Sequence, residues 1–151
     1  MRVVRRLTIP SCVILVSATC AVAAAGRNDC LAGKTQALLH GHFSGPIVCS
    51  PSGATFRLVG TPNGYAIYDY RYRFLPYEGA TVMHGGQRLL VFHGGEYVGQ
   101  YSMSPPPDTT ITVSGSYVLL SKRGAGSVTV DFSMGPPSKI HFDGETEGLH
   151  R

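Results

Sequence analysis

The chain has 151 residues, with 13 Lys and Arg against nine Asp and Glu, and is 43% hydrophobic. Arg2, Arg5 and Arg6 precede the first apolar run, so residues 26–151 carry ten basic and nine acidic side chains, a net charge of +1. That near balance excludes the basic footprint of a nucleic-acid binder, and the length fits one domain with one modest core.

Residues 1–25 read as a secretory signal peptide: a basic start, an apolar stretch from Leu7, and the small-residue tract Ala21-Val22-Ala23-Ala24-Ala25, with cleavage after Ala23 or Ala25. Pro10 and the small tail favour cleavage over a retained anchor, and no later segment is long and apolar enough to span a bilayer. Ser17-Ala18-Thr19 before Cys20 departs from the lipoprotein pattern, and Arg5-Arg6-Leu7-Thr8 is a poor twin-arginine match, so ordinary export is expected. The mature chain, 26–151, is expected in the periplasm or the extracellular space, with no stable membrane insertion after cleavage.

Only Cys30 and Cys49 survive that cleavage, and in an oxidising compartment two cysteines in a small domain pair. Such a bridge contributes on the order of 3 kcal/mol by restricting the unfolded chain. Helix is a minor component: Thr35 to Leu39 offers one turn before Gly41 and Gly45. Short β-branched and aromatic runs follow, separated by Gly, Pro and Asn, which predicts an antiparallel all-β domain.

In chain order, a strand is expected near Ile47 to Cys49. A hairpin then joins Thr55–Val59 to Tyr65–Leu75 across Thr61-Pro62-Asn63-Gly64, where Pro62 presets the first turn position and Gly64 can take the left-handed one. A second hairpin runs from Arg88 to Met103 around Gly94-Gly95. Further strands follow at Thr110–Val113, Tyr117–Leu120, Val128–Phe132 and Lys139–Phe142, and the stretch Thr109 to Val113, behind three prolines, is expected at a sheet edge. About eight strands with short connections suit a meander closed as a small barrel or folded as a two-sheet sandwich. His-Gly-Gly occurs at 84–86 and again at 93–95, and both copies are expected to mark turns. The end of the charged, glycine-containing stretch 144–151 is expected to fray.

No motif is specific enough to name a reaction. Strict alternation from Tyr68 to Phe74 puts Tyr68, Tyr70, Tyr72 and Phe74 on one face, expected to be the core side, and Asp69, Arg71 and Arg73 on the other, expected to be solvated. His40 and His42 are two ligands, not a metal site, and no cofactor motif is present. His-Gly-Gly without a Gly-x-Ser-x-Gly elbow gives no hydrolase, and Glu78 and Glu96 occupy positions typical of exposed acids.

The expectation is therefore a non-catalytic, exported binding protein that holds a protein, peptide or glycan through loops and exposed side chains. Arg71, Arg73, Tyr77 and Tyr97 are the candidate binding residues, and an inhibitor is a special case. The alternatives are a small-molecule or lipid carrier with a barrel cavity, and an envelope assembly subunit that pairs through an edge strand.

Overall fold

A computed structural model describes residues 30–103, 108–124 and 126–151, with Cys30 described in its backbone alone. The leader read at 1–25 lies outside the described residues, as does the Cys30 side chain on which the expected pairing with Cys49 depends.

Among the described residues one α-helix, α1 (Thr35–His40), precedes nine strands: β1 (Ala54–Gly60), β2 (Tyr65–Phe74), β3 (His84–His93), β4 (Glu96–Met103), β5 (Thr110–Ser114), β6 (Tyr117–Lys122), β7 (Gly126–Asp131), β8 (Lys139–Phe142) and β9 (Glu145–Gly148). All pairings are antiparallel. They form a four-stranded sheet in the order β1-β2-β3-β4, a three-stranded sheet β5-β6-β7 and the hairpin β8-β9. The all-β expectation holds, and β5 stands at an edge of its sheet. The sheets do not close into a barrel, so the carrier alternative has no barrel interior to rest on.

The four-stranded sheet is buried on both faces. On one, Ile67, Leu89, Val91, Tyr101 and Met103 pack against Ile111, Val118, Leu120, Val130 and Phe132 of the three-stranded sheet and its exit, with Ile140 and Phe142 of β8. On the other, Tyr70, Tyr72, Leu90, Phe92 and Tyr97 pack under Leu31, Leu38, Phe43, Ile47 and Val48 of the N-terminal segment. The tyrosine side of β2 is thus a core face, as the alternation predicts.

Three expectations are corrected here. Residues 47–49 form no strand, because the backbone bonds that a ladder would satisfy go to a side chain. The Val48 N–H donates to Tyr70 Oη at 2.9 Å, and Tyr70 Oη donates to the Pro46 carbonyl at 2.8 Å. The tail does not fray: it forms β9, after which the Gln100 and His150 peptides exchange hydrogen bonds of 2.8 and 2.9 Å. Gly99 permits that approach, since a Cβ there would stand 2.8 Å from the His150 carbonyl oxygen.

The first His-Gly-Gly is the third correction. Gly94 and Gly95 do sit in a turn with φ of 58° and 91°, whereas His84, Gly85 and Gly86 lie inside β3. A Cβ at Gly85 would meet the Tyr72 carbonyl oxygen at 2.9 Å and the Arg73 Cγ at 3.3 Å, and one at Gly86 would meet Tyr72 Oη at 2.7 Å. These glycines make room across the sheet and do not turn the chain.

Candidate binding cleft

Where β2 and β3 run on toward residues 74 and 84, they leave a cleft of about 620 Å³. Its lining includes Arg71 and Arg73 from β2, His84, Gly85, Gly86 and Gln87 from β3, Met83 before it, Ser52 to Thr55 at the start of β1, and Asp108 ahead of β5. Register explains the grouping: Arg71 lies opposite both Thr55 and Gln87, and Arg73 lies opposite Gly85.

The two arginines differ in what they touch. Arg71 is committed: its Nε donates to both Asp69 carboxylate oxygens at 3.1 and 3.3 Å, one terminal nitrogen to Asp108 at 2.9 Å, and the other to the Thr109 carbonyl at 3.1 Å. Burial disfavours its charge, but hydrogen bonds and attraction from Asp69, and then from Asp108, outweigh that and hold its pKa above the usual value. Arg73 is exposed, and among the described residues its guanidinium has no carboxylate or carbonyl partner.

The expected solvation of Asp69 and Arg71 is corrected by the same contacts. Asp69 is 3% exposed and also receives Arg57 at 3.5 Å and the Gln87 side-chain amide at 2.8 Å. Gln87 then clamps the adjoining segment in both directions, donating to the Thr109 carbonyl at 2.7 Å and accepting from the Thr109 N–H at 2.8 Å. A buried carboxylate is tolerated because its lone pairs meet donors from three side chains. Alternation alone reads these positions as outward because the second sheet that covers them is distant in sequence.

Of the candidate binding residues, the structure brings Arg71 and Arg73 into one cleft. Tyr77 stands 70% exposed in the segment joining β2 to β3, which also carries exposed Leu75, Val82 and Met83. Tyr97 is elsewhere and buried: its ring packs edge-on to Phe43 and Phe92, and desolvation drives its pKa well up. Its expected exposure is corrected by the bulge between Val91 and Phe92, where β4 shifts register and pairs Tyr97 with Phe92 on the aromatic face.

Sequence reasoning missed Met83 and Asp108 as cleft residues, and Leu75 and Val82 as its neighbours in sequence. A signal for the apolar ones was available: four large apolar side chains in a strand connection where turn chemistry favours polar residues. Among the described residues, no three His, Cys, Asp or Glu side chains gather as a metal site would require. Comparison with protein-family models, curated proteins and solved structures gave no match.

Proposed function

We propose that this chain is an exported, non-catalytic binding domain that holds a protein partner at the cleft end of its four-stranded sheet. The observation that carries this reading is the exposure of Leu75, Tyr77, Val82 and Met83 in the connection leading to a cleft that contains an exposed arginine, Arg73, with no ion-pair partner among the described residues. Exposed apolar side chains concentrated in one connection beside a polar cleft are the composition of an interface, with aliphatic and Tyr anchors next to Arg. Asp108 of the cleft lining and Asp69 behind Arg71 serve as counterions of Arg71 rather than as a free acid and base. Export rests on the basic and apolar leader and its small-residue end.

Site-specific photo-crosslinking in the native host's envelope and secreted fractions tests the reading. A benzophenone side chain replacing Tyr77 or Val82 is expected to yield one discrete protein adduct. The same group replacing Tyr117, exposed on β6 in the other sheet, is expected to yield none. Adducts of equal yield from all three positions, or from none, overturn it.

A further inference from the structure

The cleft contains two arginines two residues apart, and only one of them is free to meet a ligand. Every guanidinium nitrogen of Arg71 donates to Asp69, Asp108 or the Thr109 carbonyl, so its charge is neutralised inside the protein. Arg73 lies beyond that network and is exposed, and its stem lies close over the glycine opposite it, since a Cβ at Gly85 would stand 3.3 Å from the Arg73 Cγ. The stem is therefore supported while the head carries an uncompensated positive charge at the cleft.

We propose that the cleft takes an acidic side chain from an extended segment of a protein partner, that Arg73 pairs with its carboxylate, and that the apolar neighbours of that residue rest on Met83, Val82 and Leu75. The inference rests on the reading of this end of the sheet as a partner-binding site, and adds what is read there. Charge and side-chain composition both favour a peptide over an anionic glycan. A sulfated or uronic-acid polymer is held by a row of cations, and this cleft offers one unpaired arginine on a domain whose residues 26–151 carry a net charge of only +1. Sugar rings stack on aromatic platforms, whereas the exposed apolar side chains here are Leu75, Val82 and Met83 with a single ring, Tyr77.

The test uses residues 26–151 and a library of short capped peptides with Glu fixed at the centre between aliphatic residues, together with a twin library carrying Gln there. Selected Glu peptides are expected to bind at least roughly tenfold more tightly than their Gln twins, the scale of one charge-assisted hydrogen-bonded pair. They are also expected to shift the backbone amide resonances of Gly85 and Gly86 and the Arg73 Nε–H resonance. Arg73→Ala is expected to abolish the preference for Glu and Arg73→Lys to restore part of it, while both variants keep the wild-type melting temperature. Equal binding of Glu and Gln peptides overturns the proposal. Failure of both libraries while Tyr77 still crosslinks to a partner also overturns it and leaves the broader reading standing. Tighter binding of a sulfated oligosaccharide, with the same amides shifting, overturns it in favour of a glycan. Absence of any crosslink from Tyr77 and Val82 is the separate failure of the broader reading.

Discussion

The two faces of the four-stranded sheet have different covers and different chemistries. One lies under another sheet and a hairpin and is mostly aliphatic, with Tyr101 as its one fully buried ring from the sheet, apart from the network of Asp69, Arg71 and Gln87 at its end. The other lies under an irregular segment with one short helix and is rich in rings, with Tyr70, Tyr72, Phe92 and Tyr97 in successive contact with Phe43, Phe56 and one another. The difference teaches what each kind of cover needs. A sheet satisfies its own peptide groups, so the surface beneath it can be purely apolar. An irregular cover has peptide groups left over, and a tyrosine beneath it supplies both bulk and a hydroxyl that bonds them, as Tyr70 does for Pro46 and Val48.

The contrast breaks most sharply at Asp69. Asp69→Ala removes the acceptor shared by Arg57, Arg71 and Gln87, and is expected to cost about 3 kcal/mol in urea unfolding, at the lower end for a buried pair because Arg71 retains water access at 35% exposure. Leu89 and Leu90 offer a paired test, since these neighbours are both buried but face opposite covers. Each truncation to Ala is expected to cost about 3 kcal/mol. Hydrogen exchange separates them: Leu90→Ala accelerates exchange locally in residues 31–48, and Leu89→Ala acts through global unfolding, because the irregular cover opens more easily than the sheet. Identical exchange patterns would show that the two covers are equally cooperative.

A finer test lies within the aromatic face. Tyr70→Phe leaves the Pro46 carbonyl and Val48 N–H without their partner and is expected to destabilise by about 1 kcal/mol. Tyr97→Phe removes a buried hydroxyl that has no hydrogen-bond partner among the described residues, and is expected to be neutral or slightly stabilising. Smallest under ordinary conditions is the pH response. Desolvation raises the pKa of Tyr97, Tyr101 and Tyr70 above the unfolded value of about 10. The neutral form is therefore favoured in the folded state, and the contribution of these tyrosines to stability is level below about pH 10 and falls as pH rises beyond it. Tyr97→Phe should flatten that alkaline limb in thermal melts, and an unchanged slope would remove Tyr97 from the account.

The strands from β1 to β8 were legible because each carries its own alternation and its own turn residues. Asn63-Gly64 and Gly94-Gly95 hold the positive φ angles that such turns require. What escaped depended on partners distant in sequence. Two copies of His-Gly-Gly read alike, yet one bends the chain and the other clears a path for Tyr72 and Arg73. Glu145 to Gly148 looks like a polar tail, and its continuation is organised by pairing to Gln100. Half the candidate site was visible in the alternation of Arg71 and Arg73. The distinction between them was not, because it comes from Asp108 and Thr109, which lie more than thirty residues further along the chain.

The Gln87 side chain does the work of a peptide group. Its amide gives and takes one hydrogen bond with the Thr109 backbone, as a neighbouring strand residue would, and so joins the two sheets by a single rung where no strand pairs with strand. Polarity of the rung is fixed by its surroundings, since the nitrogen faces the Asp69 carboxylate as well as the Thr109 carbonyl. Replacing that nitrogen by oxygen, which is all that separates Gln from Glu, would set three oxygens against one another in a buried place. That rung therefore depends on the identity of one atom, and a change invisible to shape or volume would be enough to break it.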